Sequence, residues 1–159
     1  VKLLLLAIGR IRGCERELTA EYLKRAAPML RRMGLTSVEM REFPESRAPG
    51  AEERRRREAE VLLGAAGRDA VLVALDERGE NLSSREFAMR LKKLAAGGAP
   101  ALAVVVGGPD GLAEEVREKA RLTVSFGRAT WPHRLVRVMA AEQLYRAAAI
   151  HAGHPYHRE

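Results

Sequence analysis

The stretch Ala101 to Leu112 reads ALAVVVGGPDGL. A run of small and β-branched apolar residues, too short to cross a membrane, ends on two glycines, a proline and a third glycine. That pattern predicts a buried strand that stops abruptly. In a parallel α/β sheet, ligands lie beyond the carboxyl ends of strands, and glycine lets backbone approach them with no Cβ in between. The same residues also suit a plain strand-to-helix turn, so the choice rests on the rest of the chain.

Outward from that strand, the chain alternates strand and helix. Lys2 to Ile8 is a continuous apolar run closed by Gly9. It is far shorter than a membrane span and has no small-residue cleavage pattern after it, so it reads as the first strand. Leu18, Tyr22, Ala26 and Leu30 recur every fourth residue as a helix, and Pro28 predicts a kink or boundary inside it. Ser37 to Phe43 alternates apolar and charged residues, as expected of a strand toward an edge of the sheet. Pro44 to Gly50 is linker-like, and a helix with four consecutive arginines follows, ending at Gly64 and Gly67. Asp69 to Leu75 reads as a third, buried strand and Asp76 to Asn81 as a charged loop. Ser83 with Glu86 has the form of a capping box opening a helix striped by Phe87, Leu91 and Leu94, which Gly97 and Gly98 end. Beyond the opening stretch come a short helix at Glu114 to Ala120, a fifth strand at Leu122 to Phe126 and a last helix from about Pro132 to Ile150. The expectation is an α/β fold in a single domain, 1-159.

The formal net charge is +7, and arginine supplies 23 of the 28 basic residues. Arginine forks pair with phosphates and stack on bases, so the favoured partner is a polyanion, nucleic acid first. The run Arg54 to Arg57 reads as a solvated helix face or as a phosphate-contacting patch, and neither reading supplies sequence specificity. Cys14 is the only cysteine. A disulfide framework or cysteine-based zinc cluster within one chain is therefore excluded, and a cytoplasmic location is expected.

Chemically versatile residues crowd the last third: Trp131, all four histidines, Tyr145 and Tyr156 follow Gly127. The segment Gly127 to Pro132, between a strand and a helix, could wrap the rim of a ligand. The helix after it is apolar on several sides, which suits self-association or deep burial alike. There is neither a G-x-G-x-x-G after the first strand nor a G-x-x-x-x-G-K-[ST] anywhere, so ordinary Rossmann and P-loop functions are disfavoured. His151, His154 and His157 stand at intervals of three, but Gly153 and Pro155 interrupt the helix that would give the interval meaning, and no metal site is expected.

Three segments carry a resemblance: VVVGGPDGL at 104 to 112, TWPHRLVRVMAAEQLYRA at 130 to 147 and HPYHRE at 154 to 159. In register over the whole length, they resemble the ribosomal RNA large subunit methyltransferase H family. The resemblance implies a SPOUT-type sheet with helices on both faces and a C-terminal trefoil knot. It also implies S-adenosylmethionine as cofactor, 23S rRNA in the ribosome as partner, N3 of a pseudouridine as the methylated atom, and a homodimer with no membrane attachment. Carried over by position, Leu75, Gly108 and the loop Gly127, Arg128, Ala129, Thr130, Trp131 and Pro132 would hold the cofactor.

Methyl transfer from a sulfonium needs the target nitrogen in line with the sulfur-carbon bond and free of its proton. Tyr156, His157 and Arg137 are the catalytic candidates, and His133, Arg146, His154 and Arg158 the substrate-binding ones. His133 and Arg137, one helical turn apart, fit an ordinary cap and surface charge equally well. Two other classes stay open: a non-catalytic RNA-binding protein, which leaves the glycine loop idle, and a nucleotide-binding regulator, which leaves the basic charge idle.

Overall fold

A computed structural model describes residues 1–159. Five parallel strands form one sheet: β1 (Lys2–Ile8), β2 (Ser37–Phe43), β3 (Val71–Asn81), β4 (Ala101–Val106) and β5 (Leu122–Ser125). Their spatial order is β2-β1-β4-β3-β5, so β4, the strand before the glycine loop, is central and β2 lies at an edge. The helices are α1 (Gly13–Ala26), α2 (Ala51–Ala66), α3 (Ser84–Ala95), α4 (Glu114–Lys119) and α5 (His133–Ala152). Pro28 ends α1 as expected, and the chain continues as a 3-10 segment, Ala27–Met33.

The unbroken apolar runs follow from burial on both faces of the sheet. Leu3, Leu5 and Ala7 of β1 join Val104 and Val106 of β4 in a core beneath α1, α3 and α5. Leu4, Leu6 and Ile8 turn the other way with Ala103 and Val105, against Ala59 and Leu62 of α2 and Val116 of α4. The registers Leu5↔Val104 and Leu75↔Val106 bring the carboxyl ends of the inner strands to one edge of the sheet.

Two local features stand out. The Ser83 hydroxyl accepts from the Glu86 N–H, and the Glu86 carboxylate accepts from the Ser83 N–H, the expected capping box. The charged segment after Leu75 is strand rather than loop, since β3 runs to Asn81 and its pairing with β5 skips from Leu75↔Val124 to Glu80↔Val124. At Gly79 the two backbones approach so closely that a Cβ would lie 2.5 Å from the Thr123 carbonyl carbon. Only glycine fits this crossing.

Candidate active site

The carboxyl ends of β4 and β5, with the middle of β3 from Leu75 to Arg78, open into a cleft of about 970 Å³. Leu75, Val106 and Val124 form its floor, the loop Gly107–Leu112 one wall, and Ser125–Gly127 with Ala129–Pro132 the other. His133 and Val136, from the start of α5, close one end. Of the expected cofactor residues, Leu75, Gly108, Gly127, Ala129, Thr130, Trp131 and Pro132 line this cleft, whereas Arg128 does not.

The glycines of the first wall serve the loop's own close packing. A Cβ on Gly107 would lie 2.7 Å from the Gly111 carbonyl carbon, and the Gly111 N–H donates to the Gly108 carbonyl at 3.0 Å. A Cβ on Gly108 would point away from the cleft, 3.0 Å from Cγ2 of Ile8 and 3.6 Å from Oε2 of Glu58. Backbone approach is thus required behind the loop, against β1 and α2. On the other wall, the Ser125 hydroxyl donates to the Gly127 carbonyl and accepts from the Gly127 N–H. The indole N–H of Trp131 donates to the Phe126 carbonyl while its ring stays exposed.

Much of the arginine run is consumed inside the chain. Arg54 holds both carboxylate oxygens of Asp110, and Arg55 reaches the Asp110 carbonyl at 3.4 Å. Arg56 and Arg57 pair with Glu53, and Arg56 also with Glu60. Arg117 supports the cleft from α4, donating to the Leu112 carbonyl at 2.7 Å and to Asp76 at 3.4 Å. The sequence reading passed over Asp76, Asp110 and Arg117. The signal available for Asp76 was a carboxylate directly after a buried strand.

Arg137 is fully buried and lies outside the cleft lining. Its guanidinium donates to the Gly9 and Ile8 carbonyls, both at 2.8 Å, and to Glu42 at 2.6 Å, so it ties α5 to the ends of β1 and β2. Glu42 also accepts the Ile11 N–H at 2.8 Å. This guanidinium, expected among the catalytic groups, does not reach the cleft within its own chain. Nε2 of His133 stands 4.0 Å from Glu45, and burial lowers its pKa, so the ring is a neutral imidazole over a wider pH range than a free histidine.

The remaining candidates gather at the far end of α5. The Tyr156 hydroxyl donates to Glu142 at 2.9 Å, Arg146 pairs with the same carboxylate, and an Arg146 nitrogen lies 3.1 Å from Nδ1 of His157. The Tyr156 ring packs on Tyr145 with centroids 4.3 Å apart, and the Arg146 guanidinium carbon lies over the ring 4.8 Å from its centroid. Burial and the Glu142 hydrogen bond raise the pKa of the Tyr156 phenol, so it stays protonated. His154 and Arg158 are exposed beside this cluster. From His133 to Arg146 the helix rises about 20 Å, so one chain keeps the tail cluster apart from the cleft.

A family model described as "Predicted SPOUT methyltransferase" matches residues 1–157. Ribosomal RNA large subunit methyltransferase H of Xanthobacter autotrophicus is 52% identical over 159 residues, covering 99% of both chains. The protein of the same name from Methylocella silvestris is 52% identical over 160 residues and 100% of both. The chain belongs to the ribosomal RNA large subunit methyltransferase H family, within the SPOUT methyltransferases. As a member of that family it is a methyltransferase. Among solved structures, a probable methyltransferase from Bordetella pertussis Tohama I shares the fold with a TM-score of 0.52 and 17% identity, covering 92% of this chain and 94% of that one.

Proposed function

We propose that this methyltransferase transfers the methyl group of S-adenosylmethionine to N3 of a pseudouridine in 23S rRNA within the ribosome. The observation that carries this reading is the cleft at the ends of β4 and β5 and the middle of β3, in a chain about half identical along its full length to relatives named for large-subunit rRNA methylation. The cleft suits a nucleoside-sized ligand in volume, in its apolar floor and in its two backbone-rich walls. Leu75, Gly108, Gly127, Ala129, Thr130, Trp131 and Pro132 would hold the cofactor, with Arg128 at the rim. When bound, it supplies a methyl group activated on a positively charged sulfur.

The chain's own residues then have two tasks, to orient the target base and to accept the N3 proton. Tyr156, protonated and bonded to Glu142, serves as a hydrogen-bond donor rather than a base. His157 is the candidate proton acceptor once its Nδ1, which accepts from Arg146 here, is freed from that contact, and Arg146 supplies a charge that steadies the base as negative charge develops. His154, Arg158 and His133 would contact phosphate and sugar.

This reading includes a homodimer and a single SPOUT domain spanning 1–159 with its C-terminal trefoil threading. The tail cluster lies about 20 Å along α5 from the cleft, so a second copy would supply the tail for the first copy's cleft. Exposed Trp131 and Leu135, next to half-buried Val136 and Met139, give such a copy an apolar face. No helix is long and apolar enough to cross a membrane, and a cytoplasmic location is part of the proposal.

The test is incorporation of labelled methyl groups from S-adenosylmethionine into assembled ribosomes and into dissociated subunits, with the product located by mass spectrometry. A methyl group on N3 of a pseudouridine in 23S rRNA, with assembled ribosomes preferred, supports the reading. Transfer to another RNA, or none, refutes it.

A further inference from the structure

Glu58 lies on α2, directly behind the glycine loop, and is only 5% exposed. Its Oε2 is buried without a hydrogen-bond partner and sits 3.6 Å from where a Cβ on Gly108 would lie. Because Gly108 has no side chain, one peptide thickness separates this carboxyl from the cleft. The other carboxylates of the loop and floor are matched: Asp110 by Arg54 at 2.8 Å, and Asp76 by Arg117 at 3.4 Å.

The groups that face Glu58 are few. Arg54 stands one turn before it on α2, with its guanidinium engaged on Asp110. From the loop comes Asp110, and from the segment after β2 come Glu45 and the main-chain N–H of Ser46. Two of these neighbours are carboxylates and one is an arginine already committed. A buried carboxylate so placed is unfavourable unless a cation arrives nearby.

We propose that Glu58 is a specificity-determining residue that favours the positively charged methyl donor over its neutral thioether product. This inference rests on the reading of the cleft as a methyl-donor site. A sulfonium in contact with the front of Gly108 would lie about 8–9 Å from an acidic group that has no cation of its own, with a single peptide between them, close enough for an interaction worth about tenfold or more in affinity at an effective dielectric constant of about 20. The thioether left after transfer is one methyl group smaller, keeps the same hydrogen-bonding groups and has no such charge. Glu58 therefore strengthens donor binding without strengthening product binding, which assists exchange of one for the other between turnovers. The main effect of burial, raising the pKa of Glu58, agrees with a carboxyl that ionises more readily when the cation is present.

The test uses calorimetric titration of the full-length protein with S-adenosylmethionine and with S-adenosylhomocysteine. Glu58→Gln is isosteric and cannot ionise. The expected result is a fall of about tenfold in the preference for the donor, set by weaker donor binding with product affinity nearly unchanged. Equal losses for both ligands, or an unchanged preference, overturn the inference. A second measurement needs no variant: over a pH series rising from the ordinary carboxylate range, donor binding to the native protein should release more protons than product binding, read from buffers of different ionisation enthalpy. Equal proton release also overturns it, and this measurement decides the matter if Glu58→Gln does not fold. Failure of both ligands to bind native protein instead removes the donor-site reading and this inference with it.

Discussion

Arg54 grips Asp110 through two hydrogen bonds, 2.8 Å from Nε to one carboxylate oxygen and 3.2 Å from Nη2 to the other. The same guanidinium donates to the Ala48 carbonyl at 3.0 Å. The glycine loop after β4 is thereby fastened both to α2 and to the segment leading into it. A loop with three glycines has much conformational freedom to lose, and this clamp restricts it before any ligand arrives.

Breaking the clamp should loosen the loop rather than unfold the protein. Arg54→Ala is expected to weaken S-adenosylmethionine binding about tenfold with a small change in melting temperature, since the pair is part-exposed. Arg54→Lys should restore little, because an ammonium cannot match the two-oxygen geometry. Calorimetry with thermal melts checks both; wild-type affinity in Arg54→Ala would show that the clamp does not matter.

Arg137 is the opposite case, a buried charge with fixed partners. Replacing it by methionine leaves the Ile8 and Gly9 carbonyls and Glu42 without their donor, and a loss of about 3–5 kcal/mol is expected on denaturant unfolding. A loss below about 1 kcal/mol would show that these groups find other partners.

Two glycines should respond in opposite directions. Gly107→Ala forces a Cβ to 2.7 Å from backbone and should abolish cofactor binding or folding. Gly64 lies within α2 with nothing within 4 Å of its added Cβ, so Gly64→Ala should stabilise the protein by about 0.5–1 kcal/mol. Melting temperatures of the two variants give the comparison.

Burial raises the pKa of Glu58, so the unfolded chain gives up this proton at a lower pH than the folded one. Between the two values the folded state binds more protons, and this group's contribution to stability falls as pH rises through that window. Glu58→Gln should remove that decline and make the ligand-free protein at least as stable as wild type near neutrality. Unfolding curves over a pH series check the sign, and a steeper decline in the variant would refute it.

Removing the tail after His151 takes away Tyr156, His157 and Arg158. The packing of Tyr156 on Tyr145 predicts a measurable drop in melting temperature. Tyr156→Phe keeps the ring and loses only the bond to Glu142, so it separates packing from chemistry: methyl transfer at saturation should fall about tenfold or more while stability changes little. Near-wild-type turnover in Tyr156→Phe would remove the hydroxyl from the proposed chemistry.

The sheet was legible because Leu3 to Ile8 and Ala101 to Val106 are apolar at every position, a pattern that only burial on both faces explains. The continuation of β3 through Asp76 to Asn81 was not, since its charged residues carry no alternation and the pairing depends on Gly79 passing against Thr123. Arg54 and Arg56 look alike in sequence, and only the fold decides that one holds the cleft wall while the other meets its own helix. Glu58 hid among the charges of α2, although its spacing of four from Leu62 and eight from Ala66 places it on the buried face.

The clamp from Arg137 to Ile8 and Gly9 joins positions 129 and 128 residues apart. The end of the first strand therefore waits for nearly the whole chain before it is secured. During synthesis β1 and β2 can pair before β3, β4 and β5 exist, whereas the wall Ser125–Pro132 and α5 are made only after all five strands. A chain that has not yet reached α5 therefore lacks the donor that secures Ile8 and Gly9, however complete its sheet.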